Sequence, residues 1–100
     1  MARIIWSEPA LNELDEIADY ISLDDPMAAK NLVRSAFERI DHLASHPKSG
    51  KTVDEFQNSV YREVVLPPCR IFYRIDNEFV FIIHVIREEQ LLHTDILMKR

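Results

Sequence analysis

The chain is 100 residues long, 47% hydrophobic and 29% charged, with a formal net charge of -5, one glycine and one cysteine. That length predicts a single domain, residues 1–100, with one modest core and no deep enclosed cavity, and the composition excludes a disordered or low-complexity chain. Net acidity argues against direct DNA binding by this chain alone, because neutralised phosphates supply most non-specific nucleic-acid affinity. The lone Cys69 excludes an internal disulfide, and without a Cys/His cluster of zinc-finger spacing no metal or cofactor is expected.

The opening MARIIWSEP lacks a signal-peptide core, and no apolar run approaches the ~20 residues of a membrane span, so a soluble, cytoplasmic protein without membrane contact is expected. Arg3-Ile4-Ile5-Trp6 is a short β-rich run. Ser7-Glu8-Pro9 then starts a helix with a capping hydroxyl, an acid and a proline in the first turn. Ala10, Leu14, Ile17 and Ile21 recur at helical spacing, and Asn12, Glu13, Asp15, Glu16 and Asp19 fill the opposite face. Asp25-Pro26 restarts a second helix, with Ala29, Leu32, Val33, Ala36, Phe37, Ile40 and Leu43 as its apolar stripe; it ends near His46-Pro47, since a residue before proline resists the α conformation. So short a connection makes the two helices antiparallel neighbours. In this front half the acids outnumber Arg3, Lys30, Arg34 and Arg39.

Pro47 to Asn58, with the only glycine, reads as a loop. Val60 to Leu66 is a β-rich run broken by Pro67-Pro68, and Arg70 to Asp76 resumes with strict alternation. Side chains alternate across a strand, so Ile71, Tyr73 and Ile75 share a core face and Arg70, Phe72, Arg74 and Asp76 a wet one. Asp76-Asn77-Glu78 is a tight turn, and Phe79 to Ile86 is apolar enough for a central strand covered on both faces. His84 is placed with Val80, Ile82 and Ile86, as a partly buried, hydrogen-bonded imidazole rather than a general base. Glu88 to Leu97 carries a weak pattern for a last short helix. The expected architecture is α+β in the order β-α-α-β-β-β, a helical hairpin packed on one face of a small antiparallel sheet, with a short C-terminal element.

With IIWSEPALNELDEIADYI at the start, a second helix followed by HLASHPKSG, and then YREV, CRIFYRI and FIIHVIRE in that order, the chain resembles the ParE/RelE superfamily, the toxins of bacterial type II toxin-antitoxin modules. The resemblance spans nearly the whole chain; each piece alone is a weak pattern, and their order and spacing are specific. It implies two routes. RelE-like members are ribosome-dependent messenger endoribonucleases, and characterised ParE-like members generally inhibit DNA gyrase without cutting nucleic acid. Cutting RNA through its 2′-hydroxyl needs a base, a positive charge on the developing phosphorane and an acid for the leaving oxygen. Carried over, Arg62 stands near one family lysine, Arg70 matches the arginine of the GYR-type motif, Arg87 approximates the arginine after the last strand, and the tyrosine falls near His93. The other lysine falls at Val64. These losses favour the gyrase route with no catalytic residues; a non-toxic antitoxin-binding module is the third reading.

The resemblance also implies a cognate antitoxin with a DNA-binding domain and a C-terminal tail that folds on contact. Two surfaces are expected to receive it: Glu13, Glu16, Asp19 and Tyr20 on the outside of the hairpin, and Arg70, Phe72 and Arg74 on the open sheet face. Beside these, Trp6 reads as core, Cys69 as a small half-buried residue, and His42 and His46 as companions of a helix C-terminus.

Overall fold

The computed structural model describes residues 1–100, in the order β1 (Arg3–Trp6), α1 (Glu8–Ser22), α2 (Pro26–Asp41), a 3-10 turn (His42–Ala44), β2 (Lys51–Thr52), a second 3-10 turn (Asp54–Phe56), β3 (Tyr61–Leu66), β4 (Cys69–Asp76), β5 (Phe79–Arg87) and α3 (Thr94–Lys99). Both helix starts are capped as their sequence implies: Ala10 donates its N–H to the Ser7 hydroxyl and Ala28 donates to the Asp25 carboxylate, at 3.2 and 3.1 Å. No helix is long and apolar enough to cross a membrane.

The sheet has five strands in the order β1-β5-β4-β3-β2. β3, β4 and β5 form the expected antiparallel meander, and Asn77 adopts the left-handed conformation, φ 55°, in the turn joining the last two. Two features differ from expectation. β1 runs parallel to β5, because the hairpin crosses over the sheet before the chain returns, and the expected loop holds the two-residue strand β2 against β3.

Alternation along β4 sorts the core into two layers. Ile71 and Tyr73 join Val80, Ile82 and Val85 of β5 against Leu14 of α1 and Leu32 and Ile40 of α2. Phe72 lies on the other face with Val53, Ile83, Ile86, Leu92 and Leu97. The sheet is therefore covered on both sides, by the hairpin on one and by α3 with its approach segment on the other. Phe72, expected on an open face, is fully buried. The parity expected for that face is right; what covers it is the C-terminal element, whose apolar residues were too few to announce the packing.

Register adds a second correction. Phe72 pairs with His84 but Tyr73 pairs with Ile82, so Ile83 is an extra residue on β5. One inserted residue exchanges the faces of everything beyond it. Val85, rather than His84 or Ile86, thus continues the hairpin-side layer begun by Val80 and Ile82.

At the far side of the sheet the Tyr73 hydroxyl donates to the Pro47 carbonyl at 2.7 Å and accepts from the Gly50 N–H at 2.9 Å, pinning the loop before β2. A Cβ on Gly50 would lie 2.5 Å from that hydroxyl, so only glycine fits.

Because Phe72 is wholly enclosed, its truncation leaves a cavity. Phe72→Ala is expected to cost about 3 to 5 kcal/mol by urea denaturation, with no partner present; a cost below about 1 kcal/mol would mean that α3 does not cover this face.

Candidate functional site

Cross-strand partners in a sheet project to the same side, and this separates the four residues aligned with ribonuclease groups. Arg62 is opposite Tyr73 and Arg87 opposite Cys69, both on the hairpin side, whereas Arg70 lies on the Phe72 side. The sheet stands between Arg70 and the other two. His93 is exposed, immediately before α3.

Each arginine also has local work. Arg62 donates to the carbonyls of Gly50 and Lys48, at 2.8 and 3.2 Å, and so holds the loop pinned by Tyr73. Arg87 pairs with Glu89 at 3.0 Å and lies over the Tyr20 ring, 4.8 Å from its centroid.

Arg70 is the most heavily engaged. Its Nε and Nη2 donate to Glu63 at 2.9 and 2.7 Å, and its Nη1 and Nη2 donate to Glu55, both at 2.8 Å. Two carboxylates thus grip one guanidinium in fork geometry, the strongest form of this contact. Phe72 lies beneath, its ring centre 4.9 Å away. Hydrogen bonds to Glu55 and Glu63 push the Arg70 pKa still higher, and the bond from Arg70 holds the Glu55 carboxyl below its usual range. Glu63 is 1% exposed, so Arg70 is the counter-charge that permits its burial.

A second cluster forms where β1 ends. Past the Trp6↔Ile82 pair no strand borders β5, and its exposed backbone is met by side chains instead. Glu13 accepts from the Val85 N–H at 3.1 Å, Arg100 donates to the Ile83 carbonyl at 3.2 Å and to Glu13 at 2.9 Å, and Gln90 accepts from the Arg87 N–H at 2.8 Å. His84 Nδ1 lies 2.8 Å from Glu13 and 2.9 Å from Arg100; protonated it donates to the first, unprotonated it accepts from the second. Glu13, expected to face outward, is drawn inward by this edge. Burial raises its pKa, but the bonds from His84 and Val85 and the charge of Arg100 outweigh that and hold it below the ordinary 4.5.

Of the remaining residues expected at a partner surface, Glu16, Asp19 and Tyr20 are exposed on α1. Glu16 and Tyr20 border a cleft of about 600 Å³ between α1, the free edge of β5 and residues 90–96, floored by Ile17, Val85 and Ile96. Arg74 is partly exposed, 3.5 Å from Asp76 and over the Phe81 ring. The sequence does not single out Arg100, Gln90 or Glu55: the partners of Arg100 and Glu55 lie on distant elements, and the contact of Gln90 with Arg87, three residues before it, follows no recognisable turn motif. Cys69 is buried, and burial pushes its thiol up to about 11, which keeps it from being a thiolate nucleophile.

Chains from two solved toxin-antitoxin systems share this fold. The chain superposes on a chain of the chromosomal ParDE toxin-antitoxin system from P. aeruginosa with a TM-score of 0.73 at 21% identity, covering 89% of this chain and 98% of the other. A chain of the RelBE2 toxin-antitoxin complex from Mycobacterium tuberculosis gives a TM-score of 0.58 at 20% identity, with 87% and 98% covered. Sequence narrows the class. Residues 4–92 match the family described as the ParE toxin of the type II toxin-antitoxin system parDE. The chain is 41% identical over 86 residues to the putative toxin Y4kP of Sinorhizobium fredii, spanning 82% of this chain and 86% of that protein. It is 33% identical over 86 residues to toxin RelE2 of Caulobacter vibrioides, spanning 85% and 93%. The chain belongs to the ParE toxin family of type II toxin-antitoxin systems.

The Glu13 cluster sets a pH dependence. A carboxyl whose folded pKa is lowered contributes stability that is complete above the ordinary value of 4.5 and is lost as pH falls through the lowered folded value. Glu13→Gln is therefore expected to lower stability at neutral pH and to flatten its decline as pH falls below about 4.5, measured by urea denaturation across pH. An unchanged acid limb would show that Glu13 is not held by this cluster.

Proposed function

We propose that the chain inhibits DNA gyrase through protein contact, without cutting RNA, and is released from that role by a cognate antitoxin whose C-terminal tail folds on it. The observation that carries this reading is the separation of the arginines. Arg70 lies across the sheet from Arg62 and Arg87, and its charge is matched by Glu55 and Glu63. A phosphorane needs cations converging on one point and free to donate; here they diverge, and most of Arg70's donors are taken. Family membership supports gyrase over the ribosome as target.

The ribosome-dependent ribonuclease remains the second reading, favoured by the likeness to a relative named RelE2 and to the RelBE2 complex. The two separate cleanly. Purified chain in excess is expected to stop gyrase supercoiling while primer extension on messages from induced cells shows no new ends within codons. Unaffected gyrase together with codon-internal cuts would reverse the assignment.

For neutralisation, the burial of Phe72 moves the reading to the surface of α1. Glu16 and Asp19 present carboxylates for tail lysines and arginines, and the exposed Tyr20 ring, backed by Arg87, serves as the aromatic anchor. A tail that folds on binding must offset its ordering entropy over a broad surface, with an aromatic centre contributing most. Tyr20→Ala is expected to weaken antitoxin binding by about 1 to 3 kcal/mol in titration calorimetry, and Glu16→Ala by less. Equal affinity for both variants and the parent would place the tail elsewhere.

A further inference from the structure

The helix that covers the back of the sheet is short. α3 has six residues and no side-chain cap at its N-terminus, so its stability comes from what it packs against. Leu97 supplies the apolar contact, closing with Leu92 over Phe72, Ile83 and Ile86, and the Tyr61 hydroxyl donates to the Leu97 carbonyl at 3.2 Å. The remaining hold is Arg100, immediately after the helix. Its Nη1 lies 2.9 Å from a Glu13 oxygen, 2.9 Å from His84 Nδ1 and 3.2 Å from the Ile83 carbonyl.

Glu13 at 2.8 Å and Arg100 at 2.9 Å thus address the same imidazole nitrogen. A ring nitrogen either accepts or donates. Without a proton Nδ1 accepts from Arg100; with one it donates to Glu13, and Arg100 then faces a donor and a like charge. His84 is 4% exposed, so water screens that repulsion little. The other neighbours do not answer the ring. Phe72 of β4 stacks on it at 5.7 Å, and beyond Phe72 the charge of Arg70 is matched by Glu55 and Glu63. Glu16 of α1, Arg87 of β5 and His93 line the same cleft, and on α3 Lys99 pairs with Asp95 at 3.6 Å. Between about pH 5 and 8, where an imidazole changes charge, Arg100 stays cationic. Burial raises the Glu13 carboxyl, but the bonds from His84 and Val85 hold it below 4.5, so it is ionised throughout that range.

We propose that His84 makes the seating of α3 pH-sensitive: proton uptake at Nδ1 turns the ring from Arg100 to Glu13, releases Arg100 and lets α3 lift from the sheet. In the released state the imidazolium keeps Glu13 beside it and no longer has Arg100. That state therefore binds the proton more readily than the seated one, and falling pH favours release. Release uncovers the layer of Phe72, Ile83 and Ile86 and takes Ile96 out of the cleft beside Tyr20. The C-terminal element is then a strap, fastened at neutral pH and loosened in mild acid. This holds whichever target the toxin has.

The test is millisecond hydrogen exchange of the full chain at about pH 8 and about pH 5.5, each amide rate divided by its intrinsic rate at that pH. Protection of the α3 amides is expected to fall about tenfold from the higher pH to the lower, while the amides of β4 keep theirs. Arg100→Met, at a partly exposed position, should show the lower α3 protection at both pH values. His84→Gln should remove the pH dependence, and Arg100→Met decides alone if that variant does not fold. His93→Gln, the control for the other imidazole at this end of the chain, should retain the full drop. Equal α3 protection in the parent at both pH values, a drop that persists in Arg100→Met or vanishes in His93→Gln, or a matching drop across β4 would each overturn the proposal.

Discussion

The back of the sheet depends on one guanidinium held between two carboxylates. Glu63 sits in the middle of β3 with its side chain enclosed, where an unpaired carboxylate would cost several kcal/mol. Arg70 from β4 answers it, Glu55 from the turn after β2 completes the grip, and Phe72 stacks below. Through these contacts the loop between β2 and β3 is tied to the meander, and the layer that α3 covers gains a polar border. An arginine used this way is set by its partners, and little of its donor capacity is left for a substrate.

The second cover of the sheet changes what the molecule offers to others. Leu92 and Leu97 close over Phe72, Ile83 and Ile86, so the face opposite the hairpin is core. Arg100 fixes the far end of that cover by reaching Glu13 and the Ile83 carbonyl, joining α3, α1 and β5 at one point. That face is thereby closed to partners, and the partner surface proposed above lies on the acidic outside of α1, beside Tyr20 and Arg87. The charge division follows the same lines: acids crowd the hairpin, while Arg39 and Lys51 line a groove near the end of α2.

Much of this architecture was legible because the signals are local. Ser7-Glu8-Pro9 and Asp25-Pro26 place two helix starts to the residue, and alternation along Arg70 to Asp76 separates the faces of β4. What escaped depends on long-range pairing. The bulge at Ile83 is silent, since Ile82-Ile83 is apolar on either face, and it moved His84 and Ile86 off the side that simple alternation assigns. His84 is nonetheless buried and hydrogen-bonded, as expected. Phe72 was misplaced although a clue was present: β5 reads as covered on both faces, which requires a second cover, and Leu92 and Leu97, with Val53 and Phe56 from the expected loop, were apolar material left to supply it. The arginine separation was legible in principle, since Arg62 and Arg70 are opposed once the β3–β4 register is set by the turn at Pro67-Pro68.

The central claim is that Arg70 serves the fold rather than a reaction, and apolar replacement of the buried pair tests it most directly. Removing Arg70 alone strands Glu63 and is uninformative, whereas Arg70→Met with Glu63→Leu removes both charges at similar volume and leaves a folded protein. The measurement is growth arrest on induction, beside the melting temperature of the purified double variant. Undiminished arrest at a melting temperature close to the parent's is the predicted result. A double variant that folds with the parent's stability and no longer arrests growth would contradict the account, because the guanidinium would then be acting on the target itself.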